Sequence, residues 1–284
     1  MSFGPNPWQQ TNWDWRAAAN FICGGAGGGL IVFAAISGAA GSAFAALILS
    51  GLALVGLGLF CVWLEIGRPL RALHVFFNPR TSWMTREAFT AALLFPVGLA
   101  AAAAVPGFEW AAAALALLFV HCQGRMLQAA KGIPAWRAPL LSTLVVTTGL
   151  AEGAGLFFLT APLHGAGTQS LLALFGALVL ARLFVWLAYR RPLAALAAPQ
   201  ANMALDRAGR MLQLAGTLVP LVLIAAIVAG GVTGAQTLPV VATAGFAAAM
   251  AGAYTKYTVI VRAGFNQGFA LAHLPVRGLH AKEG

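Results

Sequence analysis

The chain has 284 residues, of which 60% are hydrophobic and 8% are charged, and its mean hydropathy is +0.83. This composition provides far too little polar surface for a soluble globular protein of this length, which is therefore excluded. The net charge of +10 is not arranged as a basic face interleaved with polar surface, so we predict an all-α, polytopic integral membrane protein with no nucleic-acid partner.

Eight hydrophobic segments are predicted to cross the membrane, each near the ~20 residues that span ~30 Å of hydrocarbon. We expect them to form one integral membrane domain over residues 1–284, with no removable signal peptide before the first span. An even number of spans places both termini on the same side of the membrane. The predicted spans are residues 16–37, 44–65, 86–105, 108–128, 138–161, 168–189, 209–230 and 238–261.

The connections between the predicted spans alternate in charge. The long ones, residues 67–85, 129–137 and 190–208, are basic, whereas the four short ones contain no Lys or Arg. When each basic residue is assigned to its nearer membrane surface, all 17 Lys and Arg residues fall on the side of the termini. Because Lys and Arg accumulate in cytoplasmic loops, we predict that the termini and the long loops are cytoplasmic and that the protein lies in the cytoplasmic membrane, in contact with lipid.

The most polar stretch, residues 65–87, lies between the second and third predicted spans. It contains four arginines, two glutamates and one histidine, so it must lie at a membrane surface. Arginine and tryptophan contribute strongly to protein interfaces when they are removed from water. We therefore predict that this loop docks a partner through Arg71, Arg80, Trp83 and Arg86.

Polar and aromatic side chains cluster where the first four predicted spans meet the cytoplasmic surface. Tryptophans there commonly form an aromatic belt, and arginines commonly contact lipid head groups. A belt does not require Asn, Gln and Glu, so we expect the four helices to frame a polar pocket. The cluster comprises Trp13, Trp15, Arg16, Asn20, Glu65, Arg68, Arg71, Trp83, Arg86, Glu87, His121, Gln123, Arg125 and Gln128.

Two ionisable residues lie deeper within predicted spans, Glu152 in the fifth and Arg182 in the sixth. Residues of this kind face the interior of the bundle and usually have partners. Glu152 either locks helix contacts or belongs to a proton path. Arg182 is a pairing or snorkelling residue, or a second member of the same path.

The sequence predicts no metal, haem or iron–sulfur cluster in this chain. The three cysteines, Cys23, Cys61 and Cys122, lie on three different predicted spans without paired spacing, whereas clusters and structural zinc need several thiolates together. A bis-histidine haem needs two imidazoles within the bundle, but only His121 lies within a predicted span. If the protein handles electrons, we expect them to come from a partner's cofactor.

Three segments resemble a known family. They are W-D-W-R-A-A-A-N-F-I-C-G-G-A-G-G-G, the loop I-G-R-P-L-R-A-L with T-S-W-M-T-R-E, and G-R-M-L-Q-A-A-K-G-I-P-A-W-R-A-P-L-L. Together they resemble the superfamily of polysulfide reductase membrane subunits (NrfD) and dimethyl sulfoxide reductase anchors. The segment Y-T-K-Y-T-V-I-V-R-A-G-F-N-Q-G-F-A-L is similar to a branch associated with phenylacetyl-CoA:acceptor oxidoreductase.

The resemblance implies a quinone-reactive membrane anchor that binds a four-cluster ferredoxin-like iron–sulfur subunit and a molybdopterin (Mo or W) catalytic subunit. The family's quinone-contacting histidine falls on Asn20, and its acidic or histidine position before G-R-P falls on Glu65. Asn20 is then expected to hydrogen-bond a quinone oxygen, while Glu65 or His121 delivers protons. The other predicted quinone contacts are Trp15, Arg68 and Gln123.

Two alternatives remain open. Replacement of the family's histidine by Asn20 allows a purely structural anchor that has lost quinone chemistry. A secondary transporter is the other alternative, although the spans show no paired segments interrupted by Gly or Pro in two matching halves.

Overall fold

The computed structural model of the chain describes residues 4, 6–66, 69–165 and 168–268; Arg68, a predicted quinone contact, lies outside them. Every regular element in these ranges is a helix, which agrees with the predicted all-α class. The α-helices are α1 (Trp15–Ile36), α2 (Gly41–Glu65), α3 (Trp83–Ala102), α4 (Phe108–Ala129), α5 (Pro134–Arg137), α6 (Leu141–Leu159), α7 (Ala161–His164), α8 (Gln169–Leu196), α9 (Pro199–Gln213), α10 (Val219–Val228) and α11 (Thr237–Tyr257).

Within the described ranges, seven helical segments are long and apolar enough to cross a membrane. The chain is therefore a helical bundle with membrane-length apolar helices. Helix α3 corresponds to predicted span 86–105 but is not among the seven, since its first turns contain Arg86 and Glu87. The seven are Trp15–Ile36, Gly41–Glu65, Phe108–Ala129, Leu141–Leu159, Gln169–Leu196, Pro199–Val228 and Gly234–Arg262.

Two connections that the sequence predicted as loops are largely helical. Residues 67–85 contain a 3-10 helix, Pro69–Phe77. The predicted connection 190–208 is mostly helical as well, because α8 continues to Leu196 and α9 begins at Pro199. Helix α9 is amphipathic, so its charged residues lower the local hydropathy although its apolar face packs in the bundle.

Helix α1 is the central helix, and it contacts α2, α4, α6 and α11. Its glycines allow these close contacts. A Cβ atom on Gly27 would lie 2.5 Å from the carbonyl oxygen of Gly51 on α2, and one on Gly29 would collide with the carbonyl of Gly149 on α6. Small residues therefore let α1 pack closely against its neighbours.

The two described ends of the chain meet at one end of the bundle. The backbone N–H of Gln10 donates to the carbonyl of Gly264 at 2.8 Å, and that of Asn266 donates to the carbonyl of Trp8 at 3.0 Å. The start of α1 and the end of the last helix therefore lie side by side.

Candidate functional site

A cavity of about 750 Å³ lies between the first half of α1, the end of α2, the 3-10 helix and the first half of α3. This volume is within the range of about 300–1,000 Å³ that is typical of small-molecule sites. The walls are mostly apolar and aromatic, and four polar side chains reach them: Asn20, Glu65, Arg71 and Glu87. The cavity thus combines apolar walls with a few polar groups. Its apolar lining includes Phe21, Leu59, Phe60, Trp63, Phe76 and Phe95.

Side chains cap the N-termini of α1 and α3, the helices that carry Asn20 and Glu87. Asp14 caps α1, since its Oδ1 accepts a hydrogen bond from the backbone N–H of Arg16 at 2.7 Å. The Arg16 side chain also donates to this carboxylate, which lowers the pKa of Asp14 below its ordinary value. Ser82 caps α3 by accepting from the backbone N–H of Thr85 at 3.2 Å. Such caps satisfy backbone donors that have no partner within the helix.

A buried polar network links three helices at the cavity wall. The Nδ2 of Asn20 on α1 donates to Oε1 of Glu87 on α3 at 3.1 Å. The Nε2 of Gln123 on α4 donates to the backbone carbonyl of Asn20 at 2.9 Å. Asn20 and Glu87 are 3% exposed and Gln123 is fully buried. Asn20 and Glu87 therefore face the cavity with their positions fixed by neighbouring helices.

The network leaves hydrogen-bonding capacity for a ligand. Within the part of the chain that the structure describes, Oδ1 of Asn20 has no hydrogen-bond partner, and Glu87 has no Lys or Arg nitrogen at ion-pair distance. A buried acceptor without a partner is unfavourable unless a ligand or water supplies a donor. A carboxyl group with a neutral amide partner can hold or release a proton at this wall.

The predicted quinone contacts occupy different places. Asn20 and Glu65 line the cavity, and Gln123 lies behind Asn20. Trp15 is 58% exposed and His121 is also exposed, with its ring 6.0 Å from the ring of Trp83. Neither Trp15 nor His121 is among the residues that line the cavity.

The predicted docking residues also occupy different places, at the cavity, on the surface and within the loop. Arg71 lines the cavity and Arg80 is exposed. Arg86 is half-buried and donates to the backbone carbonyls of Pro79 at 3.0 Å and Arg80 at 2.7 Å. Its guanidinium also lies 4.3 Å from the ring centre of Trp83. Arg86 and Trp83 therefore hold the loop in place, while Arg80 is free to contact a partner.

A second buried polar site joins α1, α6 and α11. The Nζ of Lys256 forms an ion pair with Oε2 of Glu152 at 2.6 Å and donates to the backbone carbonyl of Phe21 at 2.9 Å. Two glycines leave the space for this ion pair. A Cβ atom on Gly252 would lie 2.6 Å from Oε1 of Glu152, and a Cβ atom on Gly25 would collide with Nζ of Lys256. The ion pair links α6 to α11, as the helix-locking interpretation of Glu152 requires, and the proton path through Glu152 stays a prediction.

Arg182 is fully buried but does not join this ion pair. Its Nη1 donates to the backbone carbonyl of Ala248 at 2.8 Å, and its Nη2 donates to that of Gly216. Gly216 belongs to a π-helical segment, Leu214–Leu218, which joins α9 to α10. Among the described residues, Glu152 has Lys256 as its ion-pair partner and Arg182 has none.

Sequence reasoning placed Glu87 in the polar cluster but gave it no role of its own, and it did not select Lys256 as a site residue. For Glu87 the available signal was a carboxylate in the first turn of predicted span 86–105, at about the depth of Asn20. For Lys256 it was an ammonium group several residues inside predicted span 238–261. Among the described residues, no group of three or more His, Cys, Asp or Glu side chains could hold a metal ion.

Comparisons with known proteins do not place the chain in a family. No family model matches the sequence, and no curated protein matches it. The geometry of the cavity therefore provides the basis for a functional proposal.

Proposed function

We propose that the protein is the quinone-interacting membrane anchor subunit of a molybdopterin and iron–sulfur oxidoreductase complex. In this role it exchanges electrons between a partner's iron–sulfur subunit and membrane quinone. The observation that carries the proposal is the apolar cavity of about 750 Å³ whose wall holds the buried Asn20–Glu87 pair. A quinone head group is flat and apolar with two polar ring oxygens, which matches this lining.

The residues at the wall have separable tasks. A bound quinone supplies two-electron, two-proton chemistry at its ring oxygens. Asn20 holds one ring oxygen in either redox state. Its Oδ1, which has no other described partner, accepts from a quinol hydroxyl, and the second N–H of its Nδ2 donates to a quinone carbonyl. Glu87 holds or releases a proton at its carboxyl oxygens, next to Asn20. Glu65, half-buried at the end of α2, exchanges protons between the cavity and water.

The apolar and aromatic walls exclude water from this reaction site. In particular, Phe60 and Trp63 on α2 stack with ring centres 5.8 Å apart, and Phe76 of the 3-10 helix packs against Phe89 at 5.1 Å. A dry wall strengthens the hydrogen bonds of Asn20 and Glu87. It also restricts proton exchange to the polar side chains.

The partners follow from the cofactor chemistry and from the family resemblance. We infer that a four-cluster ferredoxin-like subunit, bound in turn to a molybdopterin subunit, docks on the segment between α2 and α3. This segment covers the cavity through Arg71, Ala72 and Val75. A cluster docked there would lie close to the cavity without an intervening haem.

We also infer that α3 is the eighth span and that both termini are cytoplasmic. At 20 residues α3 is ~30 Å long, enough to cross the hydrocarbon. The hydrogen bonds between the two described ends support an even number of spans, because an odd number would place the ends on opposite sides. The charge of the loops supports a cytoplasmic location for the ends and the cytoplasmic membrane for the protein.

Quinone binding tests the proposal directly on the purified chain. Trp13 and Trp63 line the cavity, so titration with a soluble quinone analogue should quench tryptophan fluorescence. Asn20→Leu removes the amide and should weaken binding about tenfold. Gln169→Leu, which removes an exposed amide at the start of α8, away from the cavity, is the matched control. Unchanged binding by Asn20→Leu would contradict the proposed site.

Turnover of the assembled complex separates an active quinone site from a structural anchor. Glu87→Gln keeps an oxygen that accepts from Asn20 but removes the acid, so it should bind the analogue normally and reduce quinone-coupled activity at least tenfold. Activity with an artificial dye acceptor should stay at the wild-type level. Quinone-coupled turnover that is normal in this variant would show that Glu87 carries no proton.

A further inference from the structure

A second cavity lies far from Asn20 in the sequence, where α8 and α9 meet. It has a volume of about 420 Å³ and is lined by residues that include Trp186, Arg190, Arg191, Asp206, Arg210 and Gln213. Its two walls belong to the candidate membrane spans Gln169–Leu196 and Pro199–Val228. The groove therefore lies at the shared end of two adjacent membrane helices.

The groove has an excess of positive charge. Arg190 is neutralised, because its Nη2 lies 2.6 Å from Oδ1 of Asp206 and its Nη1 donates to Oδ1 of Asn202 at 3.0 Å. Arg191 and Arg210 are exposed, and neither forms an ion pair with any residue that the structure describes. Two guanidinium groups thus face the groove without a counter-charge.

Apolar side chains continue from both arginines into the span. On α8, Leu187 and Phe184 are four and seven residues before Arg191 on the same helical face, and they are 47% and 65% exposed. On the neighbouring helix, Leu214 is one turn beyond Arg210 and is 60% exposed. The two helices run in opposite directions through the bundle, so both apolar stripes lead away from the groove toward the membrane centre.

We propose that this groove binds the phosphate head group of an anionic phospholipid, with its acyl chains along the two apolar stripes. Guanidinium groups bind phosphate oxygens through paired, charge-assisted hydrogen bonds. Basic pockets between membrane helices near the surface are suited to anionic head groups. The occupant is a lipid and not a soluble anion because the two unpaired arginines lie next to exposed apolar side chains, those of Phe184, Leu187 and Leu214, which acyl chains can cover.

Retention of lipid by the purified protein tests this site. Native mass spectrometry in detergent, with added phosphatidylglycerol or phosphatidylcholine, measures binding of each lipid. The double variant Arg191→Gln/Arg210→Gln should bind phosphatidylglycerol about thirtyfold more weakly, with a much smaller change for phosphatidylcholine, whose choline cation offsets its phosphate. Lys131→Gln/Arg207→Gln loses the same charge at exposed positions that do not line the groove, and it should bind like the wild type.

Two further measurements distinguish the occupants. Millimolar inorganic phosphate should not displace phosphatidylglycerol, and Phe184→Ser should weaken lipid binding while leaving the arginines in place. Displacement by phosphate with no effect of Phe184→Ser would show a soluble-anion site and overturn the proposal. Equal lipid binding by the groove variant and its control would also overturn the proposal. If the groove variant released the soluble subunits while its lipid binding was unchanged, the groove would be a protein interface and the proposal would be wrong.

Discussion

Lys256 shows how a single buried charge connects three membrane helices. Its ammonium group contacts the carboxylate of Glu152 on α6 and the carbonyl of Phe21 on α1, although Lys256 itself belongs to α11. Phe21 also lines the large cavity. The ion pair therefore stabilises the turn of α1 that carries Asn20, directly beside the proposed quinone site.

Removal of one partner of this ion pair should be far more harmful than removal of both. Lys256→Met leaves a carboxylate buried without a cation, which we expect to cost about 3–5 kcal/mol. Lys256→Met with Glu152→Leu removes both charges and should recover most of that loss. Thermal unfolding in detergent measures the difference, with Lys131→Met as the exposed control. Equal stability of the single and double variants would show that Glu152 is not held by Lys256.

The sequence identified some of these residues and not others for a physical reason. Asn20 and Glu65 were predicted to share one depth, and the structure places both at the cavity. Glu87 was predicted in the same cluster, but its hydrogen bond to Asn20 depends on the rotation of α3 about its axis. The uniform hydrophobicity of these helices does not reveal that rotation. Lys256 was assigned to the nearer surface, whereas its long side chain reaches a carboxylate on another helix.

At the level of elements, the last helix ends in a π-helical segment, Thr258–Arg262, whose carbonyls are capped by side chains from distant parts of the chain. Trp136 Nε1 donates to the carbonyl of Val259 at 2.8 Å, and Gln9 Nε2 donates to that of Val261 at 2.7 Å. Carbonyls at a helix end have no partner within the helix. These donors therefore hold the end of α11 against the N-terminal segment.

Trp136→Phe should destabilise the end of the last helix without leaving a large cavity in the core. Phenylalanine keeps an aromatic ring beside Trp13, whose ring centre is 5.1 Å from that of Trp136, but it has no N–H for Val259. We expect a loss of about 1 kcal/mol and faster amide exchange at the end of the last helix. Hydrogen exchange detected by mass spectrometry measures this, with Trp110→Phe, which is 57% exposed, as the control. Unchanged exchange would mean that the hydrogen bond contributes nothing.

The segment between α2 and α3 carries the proposed docking surface, and its geometry singles out Arg80. Arg86 is engaged with backbone carbonyls of the loop, whereas Arg80 is exposed. Arg80→Glu should release the soluble subunits from membranes at moderate salt while their dye-linked activity persists. Arg207→Glu makes the same charge change on α9 and should leave them bound. Membranes that retain the subunits equally in both variants would place the docking surface elsewhere.

Helix α9 is an element that hydropathy did not predict. The sequence suggested a basic loop at residues 190–208, but Leu205 and Leu212 are buried and the charged side chains lie outward. A helix that packs against the bundle with one side needs apolar residues on that side only. Its mean hydropathy is therefore as low as that of a loop. The uniformly apolar spans were predictable for a different reason. A long apolar segment in lipid must pair all its backbone groups within itself, so it must be a helix.

For the whole molecule, the number of spans depends on α3. The seven other candidate spans would leave the two described ends of the chain on opposite sides of the membrane, yet those ends are hydrogen-bonded to each other. Under the proposed topology, in which α3 also crosses, this conflict does not arise. Its exposed Phe89, Leu93 and Leu99 lie along the helix and suit contact with lipid.

Cysteine labelling on the two sides of α3 tests the topology. In a background with Cys23, Cys61 and Cys122 replaced by Ala, new cysteines are placed at Asn78, before α3, and at Pro106, after it; both sites are exposed. A membrane-impermeant maleimide added to intact cells should label Pro106→Cys and should label Asn78→Cys only after the membrane is permeabilised, because the basic loop is expected to be cytoplasmic. Gly132→Cys should behave like Asn78→Cys, and Leu163→Cys like Pro106→Cys. Labelling of Asn78→Cys and Pro106→Cys from the same side would show that α3 does not cross, and labelling of Gly132→Cys in intact cells would reverse the orientation and the side on which the soluble subunits dock.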